Sequence, residues 1–331
     1  MNKKTIALFS GGLDSILAAR IVMEQGIRVI GINFIMEFAS RDLEKHKRLI
    51  RETARQIGME SEIIDISNEY LKVLENPMYG FGANINPCID CKIFMLRKAK
   101  KLMGKVGASF VITGEVLGER PMSQRKDALN AIENNSGLKG YILRPLSAKL
   151  LKPTIPEEKG LIKREKLFDI KGRSRKPQLE LARRFGITKF FTPAGGCLLT
   201  DPAFSRRLKD LIGHNVLKLE DIRLLKFGRH FRFNKSTKFI LGRDEEDNRH
   251  ILNLRKEKDL VFEPRGYPGP IGILRGERNN ELISLAASFL ITHTKKKTET
   301  SAGVRYWVVP KEKKNIFLKA AEKEKIEEMR I

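Results

Sequence analysis

Short apolar runs alternate with amphipathic segments through the first half of the chain. Residues 5–9, 28–34, 61–66 and 110–113 read as strands, and residues 14–25, 43–57, 89–106 and roughly 123–134 as helices. Apolar strands interleaved with helices predict an α/β fold, a doubly wound parallel sheet. Ligands of such sheets bind beyond the carboxyl ends of the strands. The pattern changes toward the C-terminus. Residues 229–233, 238–241, 260–262 and 304–309 read as strands, and residues 245–254 and 281–292 as helices. These predict a smaller α+β domain. A linker is expected near 217–225, dividing the chain into domains 1–216 and 217–331. The charged segment 311–330 is expected to be helical.

Two turns fall where the sheet should bind ligands. The first, Ser10-Gly11-Gly12-Leu13-Asp14-Ser15, joins the first strand to the first helix. Glycines let the backbone approach an anion, and the unpaired N–H groups of a first helical turn point at it. Ser10 and Ser15 add hydroxyl donors, and Asp14 can hold a metal or order the loop. No GK[ST] follows the glycines, so this is not a Walker loop. The second turn, Thr113-Gly114-Glu115, ends the fourth predicted strand.

Charge adds a partner class. The 331 residues carry 64 Lys+Arg against 40 Asp+Glu, a net +24. A balance this positive attracts polyanions, nucleic acid above all, with affinity that falls steeply with salt. The runs Lys171-Gly172-Arg173-Ser174-Arg175-Lys176 and Lys295-Lys296-Lys297, with Arg229, His230, Arg232 and Arg243, are candidate contacts to a nucleic-acid backbone. No apolar stretch approaches a membrane span and no signal peptide is evident, so no membrane partner is expected and the cytoplasm is the default location.

Cys88, Cys91 and Cys197 are the only cysteines. An odd, small number argues against a disulfide scaffold. Cys88-Ile89-Asp90-Cys91 follows a Pro/Gly-rich stretch expected to be an exposed loop, and Cys197 follows Thr192-Pro193-Ala194-Gly195-Gly196. Three thiolates can bind a [4Fe–4S] cluster and leave one iron open for an exogenous ligand such as hydrosulfide. A structural zinc would need a fourth ligand. A metal-free alternative is a persulfide relay, in which one cysteine carries sulfur and another attacks it.

The Ser10–Ser15 run resembles the PP-loop of the ATP pyrophosphatases, which cleave ATP between the α- and β-phosphates and leave adenylyl on an acceptor oxygen. Asn86-Pro87-Cys88-Ile89-Asp90-Cys91 resembles the cysteine segment of tRNA 2-thiouridylases and related PP-loop thiolases. Gly114-Glu115-Val116-Leu117-Gly118 with Ser123-Gln124, and Leu143-Arg144-Pro145-Leu146, resemble segments of the tRNA 4-thiouridine synthetase family. Phe227-Gly228-Arg229-His230-Phe231-Arg232 and Phe239-Ile240-Leu241-Gly242-Arg243 resemble the RNA-binding domain of NFACT proteins.

The resemblance implies an ATP-dependent tRNA sulfurtransferase. Ser10, Gly11, Gly12, Asp14 and Ser15 would hold ATP phosphates with Mg²⁺, and Gly114 would line the nucleotide pocket. Asp14, Cys88, Cys91 and Cys197 would be catalytic, the three cysteines holding a [4Fe–4S] cluster. The partners would be tRNA and a sulfide or sulfur-donor protein. The Gly-Glu-Val-Leu-Gly segment favours 4-thiouridine as product and the Asn-Pro-Cys segment 2-thiouridine. The 4-thiouridine synthetases usually begin with a THUMP region, whereas this PP-loop starts at residue 10, and they commonly use a different cysteine arrangement. A PP-loop ligase acting on a small molecule is the other enzymatic alternative, but it leaves the +24 charge and the cysteines without a role. The remaining alternative is a non-catalytic RNA-binding protein.

Overall fold

A computed structural model describes residues 3–191, 197–214, 217–294 and 301–331. Two compact units divide the chain, Met1–Thr200 and Asp201–Ile331. In chain order the first contains β1 (Lys4–Leu8), α1 (Leu13–Met23), β2 (Arg28–Ile35), α2 (Leu43–Arg55), β3 (Glu60–Asp65), α3 (Ser67–Glu75), α4 (Cys88–Val106), β4 (Phe110–Thr113), α5 (Lys126–Ser136), β5 (Ile142–Leu143), α6 (Ile155–Glu158) and α7 (Lys176–Arg184).

The five strands form a parallel sheet in the order β3-β2-β1-β4-β5. The α/β expectation therefore holds for this unit. Strand order reverses at β1, whose neighbours are β2 and β4. That crevice is where a doubly wound sheet binds ligands. Leu8 of β1 lies opposite Thr113 of β4, so the glycine turns that follow both strands open side by side.

The strands form because their apolar residues are buried on both faces. Ile6, Val111 and Ile112 are wholly buried. Helix α1 is apolar nearly all round, with Leu13, Ile16, Leu17, Ala18, Ala19, Ile21 and Val22 buried. It packs against the sheet and α7, which leaves it almost no solvent face. Helix α2 shows the opposite pattern, a charged outer face over buried Ile50 and Ala54, with the Asp42 carboxylate accepting the Lys45 N–H at 2.9 Å.

The second unit contains α8 (Pro202–His214), α9 (Leu219–Leu224), β6 (Arg229–Arg232), β7 (Lys238–Leu241), α10 (Glu245–Asn253), β8 (Leu260–Pro264), β9 (Gly272–Arg275), α11 (Asn280–Thr292), β10 (Ala302–Trp307), β11 (Lys314–Leu318) and α12 (Lys323–Glu328). Its strands form an antiparallel sheet ordered β11-β10-β8-β9-β7-β6. Period-two alternation sorts their side chains. Phe239, Leu241, Phe262 and Leu274 enter one core with α11, whereas Ile240, Val261 and Ile273 enter another with Leu224 and Ile251.

Several elements differ from the sequence pattern. The units part at Thr200/Asp201 rather than at 216/217, because α8 joins the second unit, where Asp210 of α8 pairs with Arg232 of β6. The expected linker at 217–225 contains α9, since Ile222 and Leu224 are wholly buried. Segment 311–330 begins with β11, which pairs antiparallel with β10, and only then forms α12. The helix expected from 123 starts at Lys126, because buried Ser123 and Gln124 belong to a turn in which Gln124 accepts the Gly118 N–H. No helix among the described residues is long and apolar enough to cross a membrane.

Candidate nucleotide and sulfur site

The loop after β1 takes its shape from four residues. Gly11 adopts φ +75°, and a Cβ there would stand 2.5 Å from the Phe191 ring, so only glycine fits. Gly12 caps α1 with no side chain of its own. The Ser15 hydroxyl donates to the Gly12 carbonyl at 2.8 Å, and Ser10 Oγ lies 3.2 Å from Ser15 Oγ while accepting the Gly12 N–H at 3.3 Å. Both hydroxyls thus brace the loop, leaving the first-turn N–H groups of α1 as its anion donors.

Asp14 Oδ1 is buried without a hydrogen-bond partner. Burial raises the Asp14 pKa, partly offset by the charges of Arg175 and Arg120 and by the nearby Gln178. Glu119 behaves similarly. Burial and the Asp14 charge push its carboxyl up, Arg120 and Arg175 oppose the shift, and its Oε2 also lacks a partner. Two desolvated carboxylates facing one loop are unfavourable alone. A divalent cation with phosphate oxygens would stabilise both, and one or two carboxylates plus substrate phosphates is the ligand set Mg²⁺ takes. Sequence reasoning missed Glu119, Arg120 and Gln178 as neighbours of the loop. From the sequence, Arg175 is only part of a basic run. The structure places Arg175 at the start of α7, with its charge acting on Asp14.

Gly114 lies against the start of α1. A Cβ on it would stand 2.5 Å from both Asp14 C and Ser15 N. Those are backbone atoms that cannot swing away. Gly114→Ala is therefore expected to displace the loop, costing about 1–3 kcal/mol in thermal unfolding together with ATP affinity. An alanine variant with unchanged melting temperature and ATP titration would contradict this placement.

Glu115, next in sequence, is 1% exposed. Its Oε2 accepts Arg144 Nε at 2.9 Å and the Thr113 hydroxyl at 3.0 Å, and its Oε1 lies 3.7 Å from Lys92 Nζ. Burial alone would raise its pKa, but the Lys92 and Arg144 cations win and hold it below the usual carboxylate range. Arg144, also buried, pairs in addition with Glu133. Lys92 adjoins Cys91, so this charge network runs from the turn after β4 to the cysteine helix.

The three cysteines come together from two segments. Cys88 and Cys91 occupy the first turn of α4, and Cys197 precedes a single 3-10 turn, Leu198–Thr200. They influence one another electrostatically. All three residues are half-buried, so neither Cys88 nor Cys91 stands on an open loop. Residues 192–196, expected to expose Cys197, lie outside the described residues, as does Lys295-Lys296-Lys297. Burial pushes the Cys91 thiol up to about 11 and the Cys197 thiol up to about 12. The hydroxyl of fully buried Tyr70, on α3, abuts Cys91, and the Asn86 amide donates to Cys88 Sγ at 3.3 Å. The Arg120 charge reaches Cys197 as well as Asp14.

Among the described residues no three His, Cys, Asp or Glu side chains are grouped to hold a single metal ion. A cuboidal cluster makes a different demand, since it spreads three cysteine ligands over three irons. Three half-buried thiols close enough to influence one another supply that donor type.

In the second unit some expected nucleic-acid contacts have structural partners instead. His230 is wholly buried with its Nε2 2.8 Å from the Phe227 carbonyl. Arg232 donates to Asp210 at 3.0 Å and Arg243 to Asp247 at 3.0 Å.

Comparison with known proteins agrees with the motifs. The family model described as thiamine biosynthesis protein (ThiI) matches residues 1–155, and that of the NFACT protein RNA binding domain matches residues 228–330. A probable tRNA sulfurtransferase of Thermococcus kodakarensis is 28% identical over 144 residues, covering 43% of this chain and 36% of that protein. A tRNA-specific 2-thiouridylase of Nitratiruptor sp. is 28% identical over 120 residues, covering 34% of this chain and 35% of its own length. A 2-thiouridylase of Methylobacillus flagellatus is 29% identical over 198 residues, covering 56% and 54%. The chain thus spans about a third of the length of the first two. With its glycine loop at the crevice of a parallel sheet, the N-terminal unit is similar over part of its length to tRNA sulfurtransferases and tRNA 2-thiouridylases, and residues 228–330 match the NFACT RNA-binding domain.

Proposed function

We propose that this protein is an ATP-dependent tRNA sulfurtransferase of the cytoplasm, with 4-thiouridine as the leading product and 2-thiouridine the alternative. The observation that supports it best is the meeting of two devices in one unit. A glycine loop at a helix N-terminus, suited to phosphate, stands at the sheet crevice, and three thiols from distant segments lie near the start of α4, linked to that crevice by Lys92 and Glu115.

ATP would lie with its β- and γ-phosphates on the α1 N-terminus, held by the backbone of Ser10, Gly11, Gly12 and Ser15, with Mg²⁺ on Asp14 and Glu119. Gly114, packed against the backbone of Asp14 and Ser15, would line the nucleotide pocket from the end of β4. A uridine carbonyl oxygen attacks the α-phosphorus, pyrophosphate leaves, and AMP remains on that oxygen. Electrostatic stabilisation of the departing pyrophosphate carries most of this step, with α1 and the Arg120 and Arg175 cations supplying the field. Sulfur then adds to the activated carbon and AMP departs. Activation is required because a carbonyl oxygen is a poor leaving group and AMP a good one.

Cys88, Cys91 and Cys197 would hold a [4Fe–4S] cluster, which when bound supplies an open iron for sulfide from solution or from a donor protein. A relay of cysteine persulfides is the alternative use of the same three thiols. The C-terminal unit and the basic runs would hold the tRNA backbone.

The deciding test is iron and acid-labile sulfide content on protein purified without oxygen. We expect about four irons per chain, lost in Cys197→Ala. No iron after anaerobic reconstitution would turn the reading to a persulfide relay, and bound zinc would make the cysteines structural.

A further inference from the structure

We propose that Asn84 and Asn86 are positioning residues that bridge the two cysteine-bearing segments and set the separation of the Cys88 and Cys197 sulfurs. The inference rests on the reading above only in taking these cysteines to act together.

The bridge is continuous. Asn86 Nδ2 donates to Cys88 Sγ at 3.3 Å. Its Oδ1 accepts the Asn84 N–H at 3.2 Å, which settles which end of the amide faces the sulfur. Asn84 Nδ2 donates to the Thr200 carbonyl at 2.8 Å. Thr200 in turn donates to the Cys197 carbonyl from its N–H at 2.9 Å and its hydroxyl at 2.7 Å. A path of hydrogen bonds therefore runs from Cys88 Sγ through two asparagines to the backbone of Cys197, residues that the sequence sets far apart.

The surroundings hold this path in register. The Asn86 carbonyl accepts both the Gly82 N–H at 3.1 Å and the Cys88 N–H at 2.9 Å, closing the loop on itself. A Cβ at Gly82 would stand 2.7 Å from Asn86 Nδ2 and 2.9 Å from Oδ1, so the glycine leaves the space the amide occupies. On the other segment, the Leu198 N–H donates to the Phe38 carbonyl at 2.8 Å, anchoring the turn after Cys197 to the turn that follows β2. Phe38 packs on Tyr70 with ring centroids 5.9 Å apart, and the Tyr70 hydroxyl abuts Cys91. Cys88 and Cys91 are fixed to each other by α4. Cys197 has no covalent tie to them, and the Asn84 amide supplies a side-chain link between the segments. Neither asparagine carries a charge or a nucleophile, so the role that fits them is geometric.

The test uses the full chain, stripped of metal by a chelator, with bifunctional thiol reagents of graded length. Products joining Cys88 to Cys197 are located by peptide mass mapping. In the wild-type chain one reagent length should dominate. In Asn84→Ala and in Asn86→Ala the preference should broaden, and the rate with the best reagent should fall about threefold to tenfold, the effect of one lost hydrogen bond. Because both residues lie on one path, the double variant should be no worse than the more affected single one. Asn84→Gln, which keeps the amide donor, should restore part of the rate. A merely structural role would lower the melting temperature without changing the length preference.

An unchanged length profile in both alanine variants would overturn the bridge, as would additive losses in the double variant. Should Asn86→Ala fail to fold, Asn84→Ala decides alone, since Asn84 touches no cysteine side chain. Full thiolation by Cys197→Ala would defeat the functional reading instead, and the crosslinking profile would still report on the bridge.

Discussion

Replacing Arg144 with leucine is expected to destabilise the N-terminal unit by about 3–5 kcal/mol, the cost of leaving a buried charge without its partner. Arg144 and Glu115 are 3% and 1% exposed, and Arg144 also pairs with Glu133. Water cannot reach Glu115 to replace the guanidinium. Lys92, at 3.7 Å and on the other carboxylate oxygen, compensates only in part. Scanning calorimetry would follow this unit, and Trp307 fluorescence would report separately on the other. The double variant Arg144→Leu/Glu115→Leu should recover much of the loss, because it removes both charges. A single variant within about 1 kcal/mol of wild type would show that Glu115 is stabilised by Lys92 and Thr113 alone.

The second large effect concerns the cysteines. Cys88→Ala, Cys91→Ala and Cys197→Ala should each abolish thiolation while ATP binding stays near normal. Loss of an outer partner of a metal ligand costs about 10–100-fold, so loss of a ligand itself should exceed that. ATP binding should persist because the PP-loop is braced by Ser10, Ser15 and Gly114, none of which contacts sulfur. Mass spectrometry of nucleosides from tRNA incubated with each variant provides the measure, and in the wild-type reaction it separates 4-thiouridine from 2-thiouridine. Full activity in any one variant would remove the three-thiolate arrangement.

The two reactions would have to be kept in step, and the structure contains a connection suited to that. Gly114 touches the backbone of Asp14 and Ser15, Glu115 follows it, Lys92 faces Glu115, and Lys92 adjoins Cys91. Arg120 acts from another side on both Asp14 and Cys197.

The local pattern of the sequence determined most of the elements of the parallel sheet, the turn that starts α1, the presence of a second domain and the candidate chemistry of three thiols. These were legible because each depends on short-range rules. Apolar runs make strands, glycines between a strand and a helix make an anion site, and two cysteines three apart share one helical turn. Elements whose signal is weak alone were decided by tertiary packing. β5 has two residues and exists because Val111 and Ile112 offer Ile142 and Leu143 an edge. α9 forms where Ile222 and Leu224 find a core, and β11 forms where β10 offers an unpaired edge. The charge environment was equally hidden. Nothing in the spacing of Asp14, Glu119, Arg120 and Arg175, or of Asn84, Asn86 and Thr200, marks them as neighbours. Their meeting depends on how the chain returns to the carboxyl edge of the sheet, and only the folded structure supplies that.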